Sequence, residues 1–221
     1  MTTMKVVLPY FLSRLRFQRG TRLVMGNALI GSLFHNLKQK QVPVWLQSPL
    51  QELIYENGQV VGAKILHEQK VITVKTRKGV VLATGGVGWN KKLREKLFPK
   101  GLIEDSLSPQ SNTGDGLTLA NKIGAQIDPS VESSVLYFPC SIHTHKNGYK
   151  AIWPHIILDR AKPGVIAVNA DGQRFVNESD SYHDFCMAQI KSNRSKSKIV
   201  SYLICDATAI QKYGLGFVLP G

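Results

Sequence analysis

The chain has 221 residues, of which 43% are hydrophobic and 19% charged, so it can form one large globular domain or two small ones. Its 28 lysines and arginines outnumber its 15 acidic residues, which gives a net charge of +13. A charge this positive raises nucleic acid or an anionic cofactor as a partner. No zinc-finger spacing, RNA-binding aromatic motif or heptad zipper accompanies the basic residues, so we expect no nucleic-acid partner.

The cysteines and the apolar runs indicate the cellular compartment of the protein. Cys140, Cys186 and Cys205 are odd in number and far apart, which argues against a disulfide framework or a Cys-x-x-Cys metal site. No apolar run is long enough to span a bilayer. We therefore predict a cytoplasmic protein without a transmembrane segment.

The first part of the chain predicts one helix followed by short strands. Residues 1–24 show no clear periodicity, whereas apolar residues recur at helical spacing over 26–40. Asn57-Gly58 is a strong hairpin signal between two strands. The predicted strands cover residues 42–46, 50–55, 60–66, 71–75 and 80–83.

The second part predicts helices separated by long loops. Residues 92–98 predict a short helix that Pro99 stops, and Asp115 opens a helix that ends near Gly124. Loops are expected over 99–112 and, because of several prolines, over 129–163. The remaining predictions are a hairpin of 165–169 and 174–177 around Asp171-Gly172, a helix over 180–190, a strand over 199–204 and a helix over 207–213.

The chain is organised around the turn that follows the predicted strand 80–83. Thr84 is followed by Gly85 and Gly86, and a residue without a Cβ lets the backbone approach a flat ligand closely. Ligands of open α/β sheets lie at the carboxyl ends of strands, where this turn is expected. An ordinary strand-to-loop turn has the same pattern, so the turn alone leaves both interpretations open.

Three motifs in order carry a resemblance to a known family. They are Ala83-Thr84-Gly85-Gly86, then Thr113-Gly114-Asp115-Gly116, then Pro163-Gly164-Val165-Ile166-Ala167-Val168-Asn169 with Gly172-Gln173-Arg174-Phe175-Val176-Asn177-Glu178. Together they resemble the fumarate reductase and succinate dehydrogenase flavoprotein family. The resemblance implies an α/β plus α+β fold. Residues 1–138 would form the middle part of an FAD-binding domain, and residues 139–221 a fumarate-reductase-like catalytic domain.

The residue at position 182 indicates a branch of that family. Fumarate reductases carry a proton-transferring arginine where this chain has Tyr182, and the 3-ketosteroid dehydrogenases carry a tyrosine. The resemblance implies that Tyr182 removes a substrate proton while hydride passes to flavin, which dehydrogenates a steroid ketone. A half-buried aromatic at the start of a helix is the structural alternative for Tyr182.

The resemblance also implies the cofactor contacts. Ala83, Thr84, Gly85 and Gly86 match the turn packed near the flavin, and Leu50 lies where the family contacts adenine through the backbone. Thr113, Gly114 and Asp115 match the second flavin signature. No metal is expected, because the spacing of His143, His145, His155 and His183 matches no metal site.

Two parts of the family pattern do not occur in this sequence. It contains no Gly-x-Gly-x-x-Gly unit for the pyrophosphate, and the last flavin-binding segment of the family is also missing. We therefore expect an internal fragment whose partners are the missing N- and C-terminal segments of the same protein, and which alone binds FAD weakly and is inactive. The alternatives are a related fumarate-reductase-like flavoprotein acting on another enone or ene-acid, and a non-catalytic basic binding module.

Overall fold

The computed structural model describes residues 2–128, 130–131 and 133–221, which form seven helices and seven strands in the part described. The helices are α1 (Thr2–Arg14), α2 (Met25–Gln39), α3 (Lys91–Leu97), α4 (Asp115–Lys122), α5 (Ile157–Arg160), α6 (Tyr182–Ser192) and α7 (Ala207–Tyr213). The strands are β1 (Leu50–Glu56), β2 (Gln59–His67), β3 (Lys70–Lys75), β4 (Cys140–Thr144), β5 (Lys150–Pro154), β6 (Val165–Val168) and β7 (Tyr202–Cys205).

The predicted hairpin at Asn57-Gly58 is confirmed. Strands β1, β2 and β3 form one sheet in that order. Asn57 and Gly58 have φ of 48° and 81°, and two successive positive φ angles are what a two-residue turn between twisted strands needs. The next turn uses Glu68 and Gln69, at φ of 47° and 62°, and so makes the same reversal without a glycine.

Two predicted strands are wrong. Residues 42–46 and 80–83 form no strand, and Val81 is 91% exposed. A strand exists only where a neighbour receives its backbone hydrogen bonds. Within the described ranges neither segment has such a neighbour, although each has the apolar composition of a strand.

The prediction of long loops over residues 129–163 is wrong where β4, β5 and α5 form, and Pro129 and Glu132 lie outside the described residues. Strands β4 and β5 pair antiparallel, with Ser141 opposite Trp153. The connection turns back at Gly148, whose φ is 81°, and the Gly148 N–H donates to His145 O over 2.9 Å. The prolines that suggested a loop flank this hairpin, and Pro154 occupies its last strand position.

The predicted hairpin of 165–169 with 174–177 is only half right. The turn is present, because the Asn169 side-chain oxygen accepts from the N–H groups of Asp171 and Gln173, each over 3.0 Å. However, β6 pairs antiparallel with β7 and not with residues 174–177, which contribute only an isolated bridge from Arg174 to Val168. The longer-range partner pairs with all four residues of β6, and Val168 forms the bridge to Arg174 in addition to its pairing with Tyr202.

The chain divides into two compact units, residues 1–51 with 63–74 and residues 52–62 with 75–221. In the second unit, Phe185 and Cys186 of α6 are buried together with Ala167 of β6, and this cluster is its core. The Phe175 ring meets the Phe185 ring edge-on, 5.5 Å between centroids. Because Phe185 and Cys186 are the fourth and fifth residues of α6, the core lies close to the N-terminus of this helix, which begins at Tyr182.

We predict that Phe185→Ala destabilises the protein by about 3–5 kcal/mol, because the ring is 2% exposed and its removal leaves a cavity in a close-packed core. Leu136→Ala is the control, because that side chain is 88% exposed and its removal creates no cavity. Urea unfolding of both variants and the parent measures the difference. Equal free energies of unfolding for the two variants would contradict the assignment of this core.

Candidate active site

The first two glycine-bearing motifs lie against one another in the second unit. The Gly114 N–H donates to Gly86 O over 3.1 Å, and the Trp89 N–H donates to Asn112 O over 3.0 Å. The Asn90 side chain adds a third link by donating to Thr113 O over 2.7 Å. Residues about 25 positions apart in sequence are thus joined by two backbone hydrogen bonds and one from a side chain.

The glycines of this contact differ in the space around them. Gly114 has φ of 78° as the N-cap of α4 and Gly85 has φ of 81°, and both angles favour glycine. A Cβ on Gly116 would lie 2.2 Å from Thr84 Oγ1, so it would force the Thr84 side chain to shift. A Cβ on Gly86 would meet nothing within 4 Å, so the exposed backbone at Gly86 faces open space.

Asp115 presents its carboxylate at the start of α4. It is the first residue of the helix, and Oδ1 accepts from Thr113 Oγ1 over 2.9 Å. A carboxylate is favoured there because the helix N-terminus carries partial positive charge. Ala83, Thr84 and Gly85 are likewise exposed beside it, whereas Leu50 opens β1 in the other unit.

Tyr182 is fixed at the first position of α6. Ser181 caps the helix by accepting from the Asp184 N–H over 3.2 Å, and it donates to Asp184 Oδ2 over 2.6 Å. The Tyr182 ring stacks on Phe138 with 4.1 Å between centroids and remains 37% exposed. The helix cap and the stacked ring together restrict where the phenol can point.

Arg160 contacts both the segment before α6 and the core of the unit. It has no exposed surface, and its guanidinium donates to the backbone carbonyls of Glu178 and Asp180, just before α6. Its central carbon lies 5.9 Å from the Tyr182 ring centroid and 4.7 Å from that of Phe185. Burial lowers the pKa of Arg160, yet a guanidinium remains protonated at neutral pH, so a buried positive charge lies beside the phenol.

The structural role of Arg160 could not be predicted from the sequence. This residue stands in a segment predicted as loop, and its role depends on contacts 18 and 20 residues away. The Nε atom of Arg160 is buried without a hydrogen-bond partner, which marks it as an unusual structural arginine. A buried arginine leaves no signature in sequence, because arginine is most often a surface residue.

Glu178 anchors the loop before α6 from its other side. Its Oε1 accepts from the Ala167 N–H of β6 over 2.8 Å, and both oxygens accept from Arg174, over 3.0 and 2.6 Å. The hydrogen bond from Arg174 lowers the pKa of Glu178 from its ordinary 4.5 to about 2, although burial opposes the shift. The pair therefore connects the strand β6 with the entry to α6 as an ion pair.

A cavity of about 690 Å³ is lined by residues near both parts of the site, although Tyr182, Gly85 and Asp115 do not line it themselves. Its wall includes Gly86 and Asn112 from the glycine motifs, and Phe138, Arg160 and Phe185 from the surroundings of Tyr182. The volume falls in the range of pockets that hold small ligands. All of these residues belong to the second unit, so the cavity is a feature of that unit alone.

The described part of the chain contains neither a candidate membrane span nor a candidate metal cluster. Among the described residues, no helix combines the length and the apolar character needed to cross a bilayer. Within the same ranges, no group of three or more His, Cys, Asp or Glu side chains is arranged to hold a metal ion.

Comparison with known proteins supports the resemblance. The profile of the family described as FAD binding domain matches residues 9–216. The chain is 33% identical, over 93% of its length, to 4-oxocyclohex-2-ene-1-carboxylate 5-dehydrogenase of Sinomonas cyclohexanicum. It is 30% identical, over 91% of its length, to 3-oxosteroid 1-dehydrogenase of Mycobacterium tuberculosis.

A solved structure shares the fold. The 3-ketosteroid delta1-dehydrogenase from Sterolibacterium denitrificans, in complex with 1,4-androstadiene-3,17-dione, aligns with 99% of this chain at a TM-score of 0.82 and 31% identity. The match covers 40% of that structure, and the chain spans 35% and 37% of the two relatives above. The predicted mixed α/β FAD-binding fold is therefore confirmed.

We predict that Glu178→Gln removes part of the acid sensitivity of folding. Because the carboxyl has a lower pKa in the folded state than in the unfolded state, its contribution is present above about pH 4.5 and is lost as the pH falls towards about 2. Urea unfolding across this window should give a flatter pH dependence for the variant. Asp171→Asn, which removes an exposed ion pair with Lys196, is the control and should keep the parent slope; a parent slope for Glu178→Gln too would contradict the prediction.

Proposed function

We propose, since the chain belongs to the FAD-binding domain family, that it forms part of an FAD-dependent oxidoreductase that dehydrogenates a ketone-bearing ring, with 3-ketosteroids as the substrate class. The observation that carries the proposal is the position of Tyr182, whose ring stacks on Phe138 and lies 5.9 Å from the Arg160 guanidinium, two residues that line the cavity reaching Gly86. In this proposal residues 1–138 belong to the FAD-binding domain and residues 139–221 to the catalytic domain.

The residues of the two glycine motifs fit a flat cofactor. We assign Gly85 and Gly86, with Ala83 and Thr84, to the backbone surface against the flavin, and the open space at Gly86 supports this assignment. Thr113, Gly114 and Asp115 would contact the cofactor at the start of α4, and Leu50 would contact adenine through its backbone. FAD, when bound, supplies the two-electron acceptor for a hydride.

Tyr182 would act as the base that removes the proton next to the ketone. A phenol has an ordinary pKa of about 10, so it needs a stabilised phenolate to accept a carbon-bound proton. The buried guanidinium of Arg160 lies 5.9 Å from the centroid of the Tyr182 ring, which places a positive charge beside the proposed base. The start of α6 adds partial positive charge there.

The relatives support a ring ketone as the substrate. The Mycobacterium tuberculosis relative is named for a 3-oxosteroid and the Sinomonas relative for a 4-oxocyclohexene carboxylate. A cavity of about 690 Å³ with Phe138, Leu136 and Ile190 in its wall suits the larger and more apolar of the two. The smaller oxocyclohexene carboxylate remains the second candidate, because its enzyme has the higher identity to this chain.

Gly86→Ala tests the cofactor surface. The new methyl group has room within the protein itself, so folding should be unchanged, but it would intrude on a flavin packed against this backbone. We predict that the full-length variant binds FAD at least about tenfold more weakly than the parent protein, a loss of about 1.4 kcal/mol in binding free energy. Absorbance after desalting and titration with FAD measure the effect.

Gly26→Ala is the matched control, because a Cβ there also meets nothing within 4 Å. It should retain FAD like the parent protein. Parental FAD affinity in both variants would reject the assignment of Gly86 to the cofactor surface.

Tyr182→Phe tests the proposed base. The ring and its stacking on Phe138 remain, so FAD content and steroid binding should change little. Steroid dehydrogenation by the full-length protein should fall roughly 10²–10⁴-fold, and the rate should lose its rise towards basic pH. Steady-state rates with a 3-ketosteroid across pH measure both effects.

Tyr213→Phe is the control, because that ring contacts Lys162 and Lys212 away from the cavity. If Tyr182→Phe dehydrogenates as fast as this control, Tyr182 is not the base and its ring serves only in packing.

A further inference from the structure

A serine, a histidine and an aspartate form a continuous hydrogen-bonded line at the far side of the cavity. Ser141 Oγ lies 2.6 Å from His155 Nε2, and His155 Nδ1 lies 2.5 Å from Asp159 Oδ2. Ser141 belongs to β4, His155 follows β5, and Asp159 lies in α5. A nucleophile within hydrogen-bond reach of a base that a third group orients is the arrangement that activates a serine hydroxyl.

The aspartate is placed to keep the histidine in one orientation. Asp159 Oδ2 also accepts from Trp153 Nε1 over 3.3 Å, and Oδ1 accepts from the Gly216 N–H over 3.4 Å. With Asp159 as acceptor, the proton of the neutral His155 ring stands on Nδ1 and Nε2 accepts from the serine. The ring is fixed further by its own backbone N–H, which donates to Pro139 O over 2.9 Å.

The burial of the three residues follows the same order. His155 is buried, Asp159 is partly buried and Ser141 is exposed, so water is kept from the base while the hydroxyl remains accessible. Gly216 closes over the imidazole, since a Cβ there would lie 3.0 Å from His155 Cε1. Ser141 and His155 both line the cavity, next to Phe217 and Val218.

We propose that Ser141 is a nucleophile for acyl transfer from apolar carboxylic esters, with His155 as its base and Asp159 as the positioning residue. The apolar neighbours of the serine favour an ester with an aliphatic or alicyclic body. This activity is separate from the proposed dehydrogenation and needs no flavin. Its residues are different from Tyr182 and from the glycine motifs.

The reaction balances without an oxidant. Ser141 Oγ forms a bond to the ester carbonyl carbon while its proton passes to His155 Nε2. The bond from that carbon to the alcohol oxygen breaks, and His155 returns the proton to the departing alcohol. Water then attacks the acyl-serine with the same base, which releases the carboxylic acid and restores the hydroxyl. The net change is ester plus water to acid plus alcohol.

A fluorophosphonate probe tests the proposal directly, because it forms a stable adduct with activated serines. The full-length protein is incubated with the probe, and the modified residue is identified by peptide mass spectrometry. We expect an adduct on Ser141 that disappears in Ser141→Ala. In His155→Gln the rate of labelling should fall at least about 100-fold, as expected for loss of a general base.

The controls separate activation from simple exposure and from misfolding. Ser106→Ala should label like the parent, because Ser106 lines the same cavity but pairs with Ser108 Oγ and has no histidine partner. Asp159→Asn should slow labelling while probe binding, measured from the concentration dependence, stays unchanged. Hydrolysis of p-nitrophenyl butyrate should follow the same order among the variants.

The absence of an adduct on Ser141 in the parent protein would overturn the proposal, as would equally fast labelling in folded His155→Gln and Asp159→Asn. Because labelling does not depend on flavin, these results leave the dehydrogenation to be judged by Tyr182→Phe alone.

Discussion

The buried charge of Arg160 is the constraint on which the second unit depends. Moving a guanidinium out of water costs several kcal/mol, and no carboxylate among the described residues hydrogen-bonds to this one. The backbone must therefore supply the carbonyls of Glu178 and Asp180, which holds the entry of α6 against α5. The same guanidinium packs on Phe185 in the core and lies beside Tyr182. One side chain thus connects the stability of the unit with the chemistry proposed for it.

The sequence predicted well those elements whose determinants are local. Asn57-Gly58 specifies its turn by conformational preference, and the short helix before Pro99 forms as α3. Residues 80–83 show the limit of composition, because a strand also requires a partner that composition does not reveal. The partner of β6 was mistaken for the same reason. The nearby segment 174–177 looked suitable, whereas the observed partner β7 lies some 35 residues further on.

The residues of the candidate site likewise divide into those that the sequence could identify and those that it could not. The glycine motifs and Tyr182 could be identified because their order along the chain resembles a known family. Arg160 and the line from Ser141 to Asp159 could not, because none of them stands in a motif. His155 was recognised only as a histidine without metal spacing, and its importance comes from an antiparallel hairpin that brings residues 14 positions apart within 2.6 Å. Such contacts depend on the register in which two strands pair. Because this region was predicted as loop, no strand pairing was expected there.

The close approach of Gly116 to Thr84 has a consequence for how this sequence can vary. Because a Cβ at position 116 would lie 2.2 Å from Thr84 Oγ1, the two positions do not tolerate substitution independently. An alanine at 116 fits the observed backbone if Thr84 Oγ1 turns away or if position 84 carries a smaller residue, since the Thr84 Cβ itself would remain 3.5 Å away. The effects of substitutions at these two sites on stability are thus expected to be non-additive.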